Sequence, residues 1–253
     1  MKAHRFYNAR MAHLLMTGHS RGLGAALTQQ LLSQGHHVLG ISRMPISSPG
    51  LAPRQQFHEL SLDLGQPTAL SQFLESSIIA DFFNNAQQAI LINNAGLLNP
   101  IGPFGSLAHD QVLQSIMVNV GAVLALTNRF IGSTAQCPDR RIVHISSGAG
   151  RSAYAGWGVY CASKAALDHH ARCLAIEQHQ GLCIESLAPG IIDTGMQAQI
   201  RAVSLDQFPM RPKFDQLKEN GALAPPDVVA KKLIHHLLGP HFGQAPCTDL
   251  RDF

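Results

Sequence analysis

The sequence predicts a single α/β domain whose parallel sheet, of about seven strands, carries helices on both faces. Three observations point there. Short apolar runs alternate with longer amphipathic segments along all 253 residues. The runs are apolar almost without interruption, as strands buried on both faces are; one wet face would give strict alternation. No repeat and no linker rich in proline, glycine or serine divides the chain, and its length suits one large domain.

The apolar run His13–Met16 opens the sheet, and Gly24–Gln34 follows as a helix after a glycine-rich turn. His37–Ser42 and Phe57–Leu62 are the next strands, set by their β-forming and apolar residues. Thr68–Ser77 begins a helix just after Pro67, a residue whose missing N–H costs nothing at a helix start. Ile90–Asn93, Arg141–Ser146 and Leu182–Leu187 continue the sheet, and Cys247–Leu250 is a weaker last strand. His109–Gly132 and Gly158–Gln178 repeat apolar residues at helical spacing, while Pro226–Leu238 is a helix bounded by a Pro-Pro-Asp start and a Gly239-Pro240 stop. Residues 195–223 break the rhythm. Polar, irregular and placed after the sixth strand, they are expected to form a mobile substrate lid within one domain spanning 12–253. Residues 1–11 are expected to be a disordered extension, with Met11 as an alternative start.

Apolar residues make up 45% of the chain and charged ones 14%, which provides a core and excludes a disordered chain. The net charge of +3 is scattered, so neither nucleic acid nor a membrane surface is an expected partner. Cysteines at 137, 161, 173, 183 and 247 form no CxxC pair and no even framework, as expected of free thiols in a reducing cytoplasm. No run reads as a secretory signal or approaches the length of a membrane span.

Thr17-Gly18-His19-Ser20-Arg21-Gly22-Leu23-Gly24 follows the first strand and opens the first helix. Glycines there let the backbone turn sharply and approach a pyrophosphate, which the free N–H groups of a helix start attract. That strand–turn–helix context separates the segment from an ordinary glycine-rich turn. It makes the sheet a Rossmann-type, doubly wound one with a dinucleotide at its carboxyl edge. The second strand ends in Ser42-Arg43, where a carboxylate would hold a ribose diol. With the acid absent, and Arg21 supplying a second cation, a 2′-phosphate is the better partner and NADP(H) the expected cofactor. Asp63, with Leu64 beside it, ends the third strand. It is placed to accept from an adenine amino group or to cap its own turn.

Tyr160 and Lys164 share one helix face at i,i+4 spacing. An ammonium about 4 Å from the phenol, at an effective dielectric of ~20, is worth up to roughly 4 kcal/mol, enough to draw the phenol about three pH units towards neutrality. That would suit a general acid. Ser147 closes the fifth strand and can orient a carbonyl, with Ser146 as its less well spaced neighbour. Asn93-Asn94-Ala95-Gly96 ends the fourth strand, Asn119 lies within a helix, and Pro189-Gly190 to Thr194 follows the sixth strand. Every polar motif falls at a carboxyl strand end or on a helix facing that end.

Taken together, Thr17 to Gly24, Asn93 to Gly96, Asn119, Ser147, Tyr160-x-x-x-Lys164, Pro189-Gly190 and Thr194 resemble the short-chain dehydrogenase/reductase family over residues 12–253. Ser147-Gly-Ala-Gly150, Gly156 to Cys161 and Asp193 to Arg201 resemble its benzil reductase and sepiapterin reductase-like branch. The resemblance implies a catalytic tetrad of Asn119, Ser147, Tyr160 and Lys164. Tyr160 would give a proton to the carbonyl oxygen, Lys164 would hold the ribose and acidify Tyr160, and Asn119 would anchor a relay water. Asn94, Ala95, Gly96, Ile192, Thr194, Met196 and the backbone after Pro189 would bear on the cofactor, and the long helices would pair in a homodimer or homotetramer. Asp249 lies roughly where pterin reductases hold a substrate-gripping acid.

Other readings are weighed against these. Trp157 stacks on an aromatic substrate or packs in the core; Met196, Ile200 and Phe208 line a pocket or pin the lid. The pairs His36-His37, His169-His170 and His235-His236 lack any chelating pattern, so surface or capping roles and no catalytic metal are expected. The expected reaction is NADPH-dependent reduction of a ketone or vicinal diketone. The alternatives are NADP-dependent oxidation of a secondary alcohol and a non-catalytic dinucleotide sensor. Ser147 lacks the Gly-x-Ser-x-Gly elbow of a hydrolase.

Overall fold

The computed structural model describes residues 11–46 and 56–253, so most of the expected N-terminal extension lies outside the described residues. Strands β1 (His13–Thr17), β2 (His37–Ser42), β3 (Phe57–Ser61), β4 (Gln88–Asn93), β5 (Asp139–Ile145), β6 (Leu182–Ala188) and β7 (Cys247–Asp249) form one sheet. Its order is β3-β2-β1-β4-β5-β6-β7 and every pairing is parallel. The chain runs outward from β1 to β3, then returns to lay β4 on the other side of β1. Crossover direction therefore reverses between β1 and β4, and the helices of neighbouring crossovers diverge there to leave a crevice at the carboxyl edge.

Each β1 side chain alternates between two cores. Leu14 and Met16 face α1 (Gly22–Ser33) and α9 (Pro226–Leu238), where Leu27, Leu31, Leu233 and Leu237 are buried. Leu15 faces the opposite layer with Leu39, Leu91 and Ile142, against Val118, Leu126 and Phe130. Burial of each such side chain contributes about 1.5–3 kcal/mol. That double burial is why the central strands β1 and β4 are apolar through their middles, whereas the edge strand β3, FHELS, is largely exposed.

Four local expectations are corrected. The predicted Thr68–Ser77 helix ends at Glu75 as α2 (Pro67–Glu75), and a separate α3 (Ile78–Phe82) follows. The predicted helix over 109–132 is α4 (His109–Ile116) and α5 (Ala122–Ser133) joined by a π-helical turn, Met117–Gly121. Its whole span, His109–Ser133, is long and apolar enough to cross a membrane. The apolar character is nonetheless used internally, since Val118, Ala122, Leu126 and Phe130 pack against the sheet. The lid is not irregular: it contains α7 (Gly195–Ala202) and α8 (Arg211–Glu219), helices too short and too broken by Pro209, Pro212 and Gly221 to show a period. At its base Ile192 bridges Ala224, with Asp193 N–H donating to Ala224 C=O at 2.9 Å and Ala224 N–H to Ile191 C=O at 3.0 Å.

Candidate functional site

The glycine loop leaves β1 at the switch point and enters α1 directly. A Cβ on Gly24 would lie 2.0 Å from Gly18 O, and one on Gly18, at φ +69°, would lie 2.9 Å from Ala95 Cα. The loop is therefore closed tightly against both α1 and the end of β4. Thr17 Oγ1 accepts from Asn94 and Ala95 N–H at 3.1 and 3.0 Å, and the Asn94 amide donates to Thr17 and Gly18 C=O at 3.1 and 2.9 Å. Asn94 is thus a clamp between the two strand ends.

A cleft of about 570 Å³ opens above this edge. Its floor carries Gly18, Gly22, Leu23, Gly24, Asn94 and Gly96, and Arg21 and Arg43 stand together at one end. Pro189, Gly190, Ile192, Thr194 and Met196 form the wall beneath the lid. A smaller hollow of about 160 Å³ adjoins the Arg43 end and is lined by Ser20, Ser42, Asp63, Leu64 and Ala95. Asp63 caps its turn, Oδ1 accepting the Gly65 N–H at 2.9 Å, and still faces this hollow. No carboxylate stands at the end of β2, where Ser42 Oγ donates to Met44 C=O. A glycine floor at a helix start, with Arg21 and Arg43 on the lining, fits a nicotinamide dinucleotide.

Ser147, Tyr160 and Lys164 all line the cleft, the first just past the exit of β5 and the other two in the first two turns of α6 (Gly158–Ile176). The Ser147 hydroxyl is near enough to the Tyr160 phenol to favour its ionised form, and its Oγ accepts the Ala149 N–H at 3.1 Å. The expected acidification of Tyr160 by Lys164 is not what the geometry gives. Lys164 Nζ lies over the ring, 5.6 Å from its centroid, and donates to Ile145 C=O at 2.7 Å. Burial pushes the phenol up to about 12, with the Ser147 hydroxyl opposing. Burial likewise draws Lys164 down to about 8, with Asp168 holding it up. Desolvation of a group walled by protein exceeds the pull of a neighbour at this distance.

Asn119 occupies the π turn and does not line either hollow. Its amide accepts from Leu97 N–H and donates to Leu97 C=O, both at 2.7 Å, and donates to Ser115 Oγ at 3.2 Å. The side chain is a brace for the loop after β4; Gly96 lies between it and Lys164, a Cβ there standing 3.5 and 3.8 Å from Asn119 Oδ1 and Lys164 Nζ. A π turn leaves backbone groups off register, a common device beside functional sites.

Trp157 is buried and its ring lies flat on Phe208 at 4.4 Å, with Phe214 at 5.3 Å and Tyr160 edge-on at 5.7 Å. Core packing accounts for it: the aromatic cluster fixes residues 200–214 against Trp157 and Tyr160, although Trp157 borders the cleft. Phe208 is completely buried. Asp249 also borders the cleft but is already held by Arg251, through Nε at 2.8 Å and Nη2 at 2.7 Å, and these bonds hold its carboxyl below the usual range. It is therefore not a free acid awaiting a substrate.

Sequence reasoning missed Asp168, one turn beyond Lys164. Fully buried, it accepts from Ser146 and Ser186 hydroxyls at 2.7 Å each and from Arg151 Nε at 3.1 Å. Its i,i+4 spacing from Lys164 was the available signal. Tyr154, Lys213 and Phe214 at the far end of the cleft gave none. The surface or capping role expected of the histidine pairs holds for the exposed His169 and His235 but not for every member. His36 is buried and accepts the Ala12 N–H, His236 is buried against Glu185 at 2.8 Å, and His170 bonds the fully buried His144 at 3.1 Å. Among the described residues no group of three histidine, cysteine or acidic side chains is placed to hold a metal ion.

A family profile described as short chain dehydrogenase matches residues 12–204. The chain is 35% identical over 243 residues to a benzil reductase ((S)-benzoin forming) of Bacillus cereus, covering 92% of this chain and 97% of that one. It is 30% identical over 256 residues to the sepiapterin reductase of Rattus norvegicus, covering 94% and 95%. A short-chain dehydrogenase/reductase from Burkholderia vietnamiensis superposes with a TM-score of 0.70 at 35% identity, over 97% of this chain and 99% of that one.

Proposed function

The chain belongs to the short chain dehydrogenase family, an oxidoreductase of CH–OH and C=O groups, and from that premise we propose that it reduces a ketone or vicinal diketone with NADPH. The observation that carries this is that Ser147, Tyr160 and Lys164 line one cleft together with the glycine loop, Arg21 and Arg43, and with the aromatic rings of Tyr154, Trp157 and Phe214. Names of the similar reductases point to an aryl diketone and to a pterin, and the aromatic rings on the lining suit either.

Arg21 and Arg43 hold the 2′-phosphate, the glycine loop meets the pyrophosphate, and Asp63 with Leu64 receives the adenine. Lys164, Thr194 and the backbone from Pro189 to Ile192, with Met196 above, bear on the nicotinamide half. When bound, the nicotinamide supplies hydride to the carbonyl carbon. Ser147 orients the carbonyl oxygen, and Tyr160 holds a proton at Oη for that oxygen. A phenol raised to about 12 is fully protonated at neutral pH, and it still gives its proton readily to the much more basic alkoxide. This favours reduction over alcohol oxidation, which needs the same group as a base. Asn119 braces the site through Leu97. The free cysteines suit a reducing cytoplasm, and α4–α5 with α6 would pair between protomers in a homodimer or homotetramer.

The test is loss of nicotinamide absorbance with NADPH and a panel of benzil, sepiapterin and simple aryl ketones. Turnover of any of these, faster with NADPH than with NADH, is expected. No turnover across carbonyls, together with alcohol-dependent reduction of NADP, would reverse the assigned direction.

A further inference from the structure

We propose that Glu59 is a positioning residue for cofactor discrimination, tying the glycine loop that carries Arg21 to the turn that carries Arg43. The inference rests on the NADPH reading above. Glu59 Oε1 lies 2.8 Å from His19 Nε2 and accepts the Ile46 N–H at 2.8 Å. His19 precedes Arg21 within the glycine loop, and Ile46 ends the turn that begins at Ser42-Arg43. One carboxylate oxygen therefore spans both cation-bearing segments.

The route between them is built. His19 is 1% exposed, and to reach β3 its imidazole must pass over β2. Gly40 makes the passage: a Cβ there would stand 2.5 Å from the His19 ring. Phe57 closes on the ring edge-on at 5.8 Å. Other ties hold each segment to the sheet separately. Gly18 N–H donates to Ile41 C=O at 2.7 Å, Ser61 Oγ to Arg43 C=O at 3.2 Å, and Ser42 Oγ to Met44 C=O. Glu59 bonds both segments to each other, and it stays out of the cleft, where its charge would oppose a phosphate.

Two guanidinium groups gripping one phosphate must keep a fixed separation, because their donors are directional. A ribose diol makes no such demand on the second arginine. Loosening the tie should therefore weaken NADPH selectively.

Fluorescence titration of the full chain with NADPH and NADH tests this. Glu59→Ala is expected to raise the Kd for NADPH about tenfold and that for NADH less than about threefold. Glu59→Gln, which keeps an acceptor for Ile46, should recover most of the loss. Ile46→Pro deletes the same N–H from the turn side, and it should reproduce the selective loss even where Glu59→Ala fails to fold. An unchanged NADPH-to-NADH ratio in Ile46→Pro overturns the positioning role. A wild-type chain binding both nucleotides equally overturns the cofactor reading beneath it instead.

Discussion

The ammonium of Lys164 lies above the face of the Tyr160 ring and spends a hydrogen bond on Ile145 C=O. Burial keeps the proton on Tyr160, with the interaction with the Ser147 hydroxyl opposing it. In the proposed reaction Tyr160 is an acid whose proton is held by burial.

Removing that acid isolates it. Tyr160→Phe keeps the ring, its packing on Trp157 and the Lys164 contact, and loses only the hydroxyl. Turnover should fall by about a hundred- to ten-thousandfold while nucleotide Kd stays within about twofold. Steady-state rates with parallel binding titrations check it, and a variant turning over at the wild-type rate refutes the assignment.

Arg43 faces both hollows at the end of β2, where no carboxylate stands. Arg43→Asp replaces a phosphate-gripping cation with a diol-gripping anion. The Kd for NADPH should rise by well over about tenfold with little change for NADH. Unaltered NADPH affinity would mean the 2′-phosphate is read elsewhere.

Gly156 bears on the lid. It holds φ +84°, and a Cβ there would stand 2.1 Å from Gln207 C=O, backbone that cannot rotate away. Gly156→Ala should push the 207–208 segment off Trp157 and raise the carbonyl KM about tenfold, with nucleotide Kd nearly unchanged. A normal KM for the carbonyl would show that the lid does not shape its pocket.

Acid should destabilise the protein before its carboxylates titrate. Burial lowers the pKa of His13, His36 and His170 from 6.5, and of His144 to about 3, with His37 adding to the first two and His170 and then Lys164 to the last. These groups stay neutral in the fold while the unfolded chain takes up protons below 6.5. Stability is thus complete above that value and is lost progressively as pH falls through it. For the fully buried His144 the slope is about 1.4 kcal/mol per pH unit. Melting temperatures recorded downward from neutral pH should fall steeply, and His144→Asn should flatten the curve. A flat wild-type profile would contradict it.

The sheet was legible because double burial makes its strands continuously apolar, as in Leu14–Met16 and Ile90–Ile92. The reacting residues were legible because Tyr160 and Lys164 are separated by one helical turn and Ser147 by one loop. What escaped was set by distance in sequence. The partners of Asp168 come from β5, β6 and the turn at Arg151, and Glu59 meets His19 across an intervening strand. The acidity of Tyr160 was misjudged for a related reason, since pair spacing shows the neighbouring charge but not the wall of Trp157, Leu98 and Ile200 that desolvates the oxygen.

The bridge between Ile192 and Ala224 sets the two ends of the intervening segment side by side and bonds them to each other. Joining ends already in contact costs little entropy whatever the length between them. Residues 195–223 are in that sense a cassette. Replacement of residues 197–223 by a foreign segment of different length would re-specify the carbonyl accepted and reset the packing around Trp157 and Tyr160, while the glycine loop and Arg43, which lie outside the segment, keep their places.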